Sequence, residues 1–274
     1  MQLAYPAELH PCWSDCRQSI WERIHLPVAR VCNVKCAFCD GKGASACHTH
    51  VPGASRILMN SEDAVNRAIE EIERRPNLRI VAVSGPGEPL ANDATLHTLQ
   101  KIKTALPGIH FCLSTNGILL ASQIPSLLRI NLETVSVSIS TVNPQSAARI
   151  YEWAIIDGRL MRGEKMGKRI IEKQLEGIRR ACSGGIRVKA NTILIPSING
   201  GDIDSLARSI SEAGATLHNI VPLVPNDSMI RMKAPSGREL AAARKSASEY
   251  IKQFHQCQQC RSDVVGIPGD DTPL

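Results

Sequence analysis

The chain has 274 residues, a net charge of +6 at pH 7, 21% charged and 43% hydrophobic residues, and only 3% aromatic residues. That length allows one substantial core. The scarcity of aromatic side chains removes the usual stacking platforms for bases, and the positive charge is spread along the chain, so no nucleic-acid partner is expected. No run approaches the apolar length of a membrane span, and the N-terminus lacks a basic segment followed by an apolar one; the expectation is a cytoplasmic protein without a membrane partner.

In chain order, residues 1–19 carry Pro6, Pro11, Cys12 and Cys16 with little periodicity, and read as an arm. Ile24–Val31 is an apolar, strand-like run. The irregular stretch Gly41–Met59 carries Cys47, His48 and His50. A helix over residues 61–75 follows, capped by Asn60 or Ser61 and stopped by Pro76. Further strands are predicted over Leu78–Val83, Ile109–Leu113, Thr134–Ile139, Ile186–Ile195 and Thr216–Leu223. Helices are predicted over Asp93–Leu106, Ala147–Arg159, Gly167–Ser183, Ile203–Ala213 and Glu239–Phe254. Six strand-like runs separated by crossover-length segments imply parallel pairing, hence an α/β fold built as a partial (β/α)6 barrel with ligand loops at the C-terminal strand ends. The expected division is an N-terminal ligand arm (1–22), the barrel (23–235), and a C-terminal helix with a cysteine-bearing tail (236–274).

Ten cysteines invite a disulfide reading, but they fall in CxxxC, CxxxCxxC and CxxC groups in a chain with enough core to need no staples, which favours reduced, metal-binding thiols in an oxygen-sensitive protein. Cys32, Cys36 and Cys39 stand in CNVKCAFC, directly after the first strand-like run. Three thiolates on an iron–sulfur cluster leave one iron without a protein ligand, whereas a structural zinc site closes a tetrahedron with four ligands. The spacing is the signature of radical S-adenosylmethionine (SAM) enzymes, in which a reduced [4Fe–4S] cluster binds SAM at the open iron and cleaves it. Phe38 is placed to shield the cluster. Zinc and plain core packing are the alternatives for these cysteines taken alone.

The loop SGPGEPL after the second strand offers Gly85 and Gly87 for close backbone approach, and Glu88 as a carboxylate for the SAM ammonium in an open pocket. Ser114, Thr115, Asn116, Ser138, Ser140 and Asn191 put hydroxyls and amides at later strand ends, and Ile193, Ile195 and Pro196 form an apolar edge suited to adenine. For each, a structural hydrogen bond or core contact is the competing reading. Cys112 reads equally as a buried cysteine or a ligand, and Cys182 as structural. Cys257 and Cys260 could meet Cys12 and Cys16 over the barrel mouth, as a zinc knot or as a cluster site.

The stretches HPC, RIHLPVA, CNVKCAFC, SGPGEPLAN, LSTNG, VKANTILIP, GATLHNIVPLVP and CQQCRSDVVG together resemble the NifB family, radical SAM maturases of the nitrogenase cofactor, over nearly the whole chain and in the form without an added carrier domain. The resemblance implies an enzyme that joins two [4Fe–4S] precursors into an [8Fe–9S–C] product, with one added inorganic sulfur and a carbon from a SAM methyl group. A second SAM supplies the 5′-deoxyadenosyl radical that takes hydrogen from the transferred methyl. It assigns Cys32, Cys36 and Cys39 to the radical cluster, Cys12, Cys257 and Cys260 to one precursor, and Cys47 and Cys112 to the other. The family's third ligand to that second precursor is a histidine where this chain has Gln18; Cys16 is a competent substitute, because thiolate binds iron well. The implied partners are an iron–sulfur donor protein, an electron donor such as ferredoxin and a downstream cofactor carrier or scaffold, serving a monomer under anaerobic conditions. The other readings are a radical SAM enzyme whose auxiliary electron-transfer clusters serve a different small substrate, and a non-enzymatic iron–sulfur carrier, for which Glu88 and the strand-end pocket would have no use.

Overall fold

A computed structural model describes residues 6–15, 21–40 and 52–274. In chain order its elements are β1 (Glu22–His25), β2 (Val34–Cys36), α1 (Ser61–Arg74), β3 (Leu78–Val83), α2 (Asp93–Ala105), β4 (His110–Thr115), α3 (Leu120–Arg129) and β5 (Leu132–Ser138). There follow α4 (Pro144–Ile150), β6 (Tyr151–Ile156), β7 (Arg159–Met161), α5 (Gly163–Ser183), β8 (Arg187–Leu194), α6 (Pro196–Asn199), α7 (Ile203–Glu212), β9 (Leu217–Pro222), α8 (Gly237–Ala247), β10 (Val264–Ile267) and β11 (Asp270–Pro273).

Strands β1, β3, β4, β5, β8 and β9 pair in that order and all in parallel. Of these, β3, β5, β8 and β9 are short runs carrying Val, Ile or Leu because both faces of a parallel sheet are covered, whereas β1 has only Ile24. The partial (β/α)6 barrel read from the sequence is therefore the fold. Helices pack outside it: α1 starts where the Asn60 side chain accepts from the Glu62 and Asp63 amides, ends before Pro76, and buries Ala64 and Ala68. The long α5 comes closest to its neighbours at two glycines. A Cβ on Gly167 would lie 2.5 Å from the Pro144 carbonyl, and one on Gly177 2.9 Å from Leu120. No helix among the described residues is long and apolar enough to cross a membrane.

The structure corrects the sequence reading in several places. The first strand, expected over Ile24–Val31, is Glu22–His25, and it ends short of Pro27, which cannot donate to the ladder. The helix expected over Ala147–Arg159 stops at Ile150, and the remainder is the β6–β7 hairpin, which joins β2 in a separate antiparallel sheet. Its turn, Asp157–Gly158, has both residues at positive φ (51° and 75°), the two-residue geometry that Asp-Gly favours. Helix α3, which carries Pro125 internally, was missed because proline masks helical periodicity. The helix expected over Glu239–Phe254 ends at Ala247, and the chain then runs beside β9, where the His218 and Phe254 backbones pair.

That last difference positions the site. After pairing with β9 the tail crosses to the opposite edge, where β10 pairs antiparallel with β1 and β11 extends the sheet. The segment holding Cys257 and Cys260 thus bridges the two edges of the parallel array. It is held down at β1 by Arg23, fully buried, which donates to the Gly266 carbonyl at 2.6 Å and pairs with Asp271.

Candidate functional site

Cys32 lies between β1 and β2, Cys36 ends β2 and Cys39 follows it, and the SGPGEPL loop after β3 lies directly against the chain leading into Cys32. The Gly87 amide donates to Ala29 (2.7 Å), the Glu88 amide donates to Val31 (2.9 Å), and the Asn92 side chain bonds the Arg30 and Val31 amides and the Val31 carbonyl. A Cβ on Gly87 would lie 2.3 Å from the Val31 oxygen, so glycine is required by the approach of one backbone to another. Gly85 meets only Gly53 and Ser262, at 3.4 Å.

Cys36 ends β2 and packs with Phe38 against a second apolar cluster that includes Ala37, Ile195 and Leu223. Cys32 and Cys39 are exposed. The Cys39 amide donates to the Cys36 carbonyl, closing the turn between them. The thiols sense one another: burial, then Cys32 and Cys39, push Cys36 well above the ordinary thiol value, and burial pushes Cys32 up to about 11, with Glu88 and Cys39 contributing. Among the described residues no three such side chains stand close enough together to form a metal site, but this coupling places Cys32, Cys36 and Cys39 near one another, and a cluster of net positive core charge would release their protons on binding.

The expectation of an open pocket around Glu88 is corrected. Glu88 is 3% exposed, and its carboxylate accepts from the Thr115 hydroxyl (2.5 Å), the Asn116 amide (2.6 Å) and the Leu90 amide (3.1 Å). Burial raises its pKa to about 7 against the pull of these donors. The Asn116 side chain donates in turn to Asn33, next to Cys32, at 2.7 Å. Glu88 therefore ties the β3 and β4 loops together beneath the cysteine loop. Ile195 is corrected as well: it is fully buried in the second apolar cluster, so the apolar edge that faces open space is Ile193.

Inside the barrel lies a cavity of about 280 Å³. Its wall includes Cys12, Cys112, Cys257 and Cys260, together with Ser114, Ser138, Asn191 and Ile193. Cys12 and Cys257 also pack on one apolar group formed by Trp13, Leu217 and Phe254. Burial pushes Cys260 up to about 12, with Cys12 and Cys257 adding to the shift, so these three thiols lie within electrostatic reach of one another. Cys112, on β4, is pushed up to about 11, mainly by burial. Cys182 is outside this group, under Gly214. Cys16, Gln18 and Cys47 lie outside the described residues.

Among the cavity-wall residues passed over in the sequence, two are ionisable, His25 and Lys189. The available signal was a polar residue inside an otherwise apolar, fully covered strand. His25 contacts the Arg261 carbonyl and the Ser84 hydroxyl, both at 3.1 Å.

Desolvation holds His25 and His218 near 3 and His10 well below its ordinary value of 6.5. Below pH 6.5 the unfolded chain takes up protons that the folded chain refuses, so the stability these neutral histidines contribute is present above 6.5 and is lost as pH falls toward 3. Urea unfolding of the metal-free protein is expected to give stability falling by up to ~4 kcal/mol per pH unit near pH 5 from three such groups. In His218→Gln the slope should drop by roughly a third; an unchanged slope would show that His218 does not contribute.

The Radical SAM superfamily model matches residues 26–210. The FeMo cofactor biosynthesis protein NifB of Methanocaldococcus infernus is 36% identical over 258 residues, covering 94% of this chain and 85% of the relative. The protein of the same name from Klebsiella pneumoniae is 37% identical over 276 residues, and the match covers 98% of this chain but 59% of that longer protein. Among solved structures, a radical SAM methyltransferase from Sphaerobacter thermophilus superposes with a TM-score of 0.56 at 18% identity, over 85% of this chain and 64% of that one. Methylornithine synthase (PylB) superposes with a TM-score of 0.54 at 12% identity, over 92% and 73%; these two likenesses concern the fold. The family match, the cysteine loop and the barrel agree: this chain is a radical SAM enzyme of the NifB family, with a [4Fe–4S] cluster and SAM as its cofactors.

Proposed function

We propose that this enzyme builds the iron–sulfur precursor of the nitrogenase FeMo cofactor, joining two [4Fe–4S] substrates around a carbon taken from SAM. The observation that carries this reading is the second set of thiols, Cys12, Cys112, Cys257 and Cys260, around one cavity in the barrel. An iron–sulfur substrate needs such ligands, as auxiliary electron-transfer clusters beside another small substrate would, and the family match favours the first. The name borne by the 36% identical relative points the same way.

In this reading Cys32, Cys36 and Cys39 hold the radical cluster, whose chemistry is one-electron reductive cleavage of SAM. Glu88 acts from beneath, holding the loop that would meet SAM through its bonds to Thr115 and Asn116, and Phe38 would cover the apolar side of the cluster. Ser114, Ser138 and Asn191 bond SAM or substrate at the cavity rim. Cys12, Cys257 and Cys260 bind one precursor; Cys112, Cys47 and Cys16 bind the other, Cys16 standing in for the histidine that Gln18 replaces. Partners would be an iron–sulfur donor, a one-electron donor such as ferredoxin, and a carrier that accepts the product.

The test is anaerobic reconstitution followed by reaction with SAM labelled at its methyl carbon. Three four-iron centres, about twelve irons per chain, and label retained in an extracted eight-iron product are expected. A reproducible value near four irons after full reconstitution would remove both precursor sites.

A further inference from the structure

Lys189 lies in the middle of β8, a strand covered on both sides, and is 4% exposed. Its ammonium donates to the Cys12 carbonyl at 2.7 Å and sits over the rings of Trp13, at 5.7 Å, and Phe254, at 5.0 Å. No aspartate or glutamate lines the cavity among the described residues, and Lys189 is the only lysine or arginine in its wall. Burying an ammonium without a counter-charge costs several kcal/mol, and two ring faces and one carbonyl offset only part of that. The position therefore makes sense if an anion completes it. The groups around it that can become anionic are thiols, with Cys12, Cys112 and Cys257 all in the same wall.

We propose that Lys189 is a positioning residue of the cargo site, with two tasks. It docks the N-terminal arm by holding the Cys12 carbonyl, and it adds a fixed positive charge facing the iron–sulfur unit bound by Cys12, Cys257 and Cys260, beside the buried Arg23, which Asp271 pairs. Each thiolate on such a unit adds a negative charge, and reduction adds one more. A fixed cation stabilises the more negative state, so Lys189 raises the reduction potential of the unit. This role rests on the ligand assignment proposed above.

Three variants separate the tasks: Lys189→Arg keeps donor and charge, Lys189→Gln keeps a donor without charge, and Lys189→Met removes both. Docking is read in the metal-free protein, as the rate of Cys12 alkylation by iodoacetamide with circular dichroism as the fold control. Lys189→Met should react several-fold faster than the parent, and Lys189→Gln should stay near the parent rate. The charge is read by redox titration with paramagnetic resonance in a Cys36→Ala, Cys112→Ala background, which leaves this site to be followed alone. Lys189→Gln and Lys189→Met should shift the midpoint negative, whereas Lys189→Arg should hold it. Loss of iron from Lys189→Met, with iron kept and a negative shift in Lys189→Gln, also supports the proposal. A parent-like midpoint in Lys189→Gln at full iron occupancy overturns the electrostatic role, and a parent-like Cys12 rate in Lys189→Met overturns the docking role. If the parent background itself binds no iron, the ligand assignment fails first and the electrostatic role falls with it, while the alkylation result still decides docking.

Discussion

Replacing Cys36 with alanine is expected to reduce SAM cleavage to background while leaving iron bound elsewhere in the protein. Cys36 ends β2, packs on the second apolar cluster and is pushed up by burial and then by its two neighbours, Cys32 and Cys39. Alanine fits that position with the loss of one buried sulfur, a change on the order of 1 kcal/mol. The fold should therefore survive. The cluster should not, because two thiolates cannot hold it with one iron reserved for SAM. The measurement is 5′-deoxyadenosine formed by dithionite-reduced, reconstituted protein, with iron counted in parallel. Iron should fall by roughly four per chain. Normal cleavage in the variant would exclude this loop as the radical site.

Glu88→Ala should lower both SAM cleavage and stability, and the second effect follows from the structure alone. Removing the carboxylate leaves the Thr115 hydroxyl and the Asn116 and Leu90 amides without their acceptor. A buried donor left unsatisfied costs ~1–3 kcal/mol, so three of them, less the relief of removing a desolvated acid, should cost about 2–4 kcal/mol. The pH dependence gives an independent check. Glu88 ionises near 7 in the fold instead of near its ordinary 4.5. Between these values the unfolded chain gives up its proton first, so ionisation favours unfolding, and the stability associated with Glu88 falls as pH rises from about 4.5 to about 7. Glu88→Gln cannot ionise and should lack that component. Denaturant unfolding of the metal-free proteins across this range measures both effects. Alanine and wild-type proteins of equal stability would confine Glu88 to SAM contact.

The number and parallel pairing of the six strands were legible because most are short apolar runs bounded by polar or glycine-rich turns, a pattern that local chemistry sets, while the first was read too far along the chain because apolar residues continue beyond its end. The three-cysteine loop was legible for a related reason: its cysteines are separated by only three and two intervening residues, so little more than a turn brings them near one another. The β6–β7 hairpin was misread although Asp157–Gly158 carried a hairpin signal, because the residues before it also fit a helical pattern. The β10–β11 hairpin gave little warning, since a short strand is stabilised by the edge it joins.

What the sequence by itself determined was the radical SAM barrel, its three-thiol loop and the family to which the chain belongs, all of which rest on contiguous patterns. Tertiary structure alone decided which groups share a space. Gly87 faces the Val31 carbonyl; Glu88 is enclosed by donors from two loops; Ile195 is buried while Ile193 reaches the cavity. Cys12 and Cys257, from opposite ends of the chain, meet on Trp13 and Phe254, with Lys189 from a middle strand between them. The physical reason is one of range. Spacing and periodicity express contacts between near neighbours in sequence, whereas burial, desolvation and charge pairing depend on what the folded chain brings alongside, and a sheet whose two edges are bridged by its own tail sets those neighbours only when it is complete.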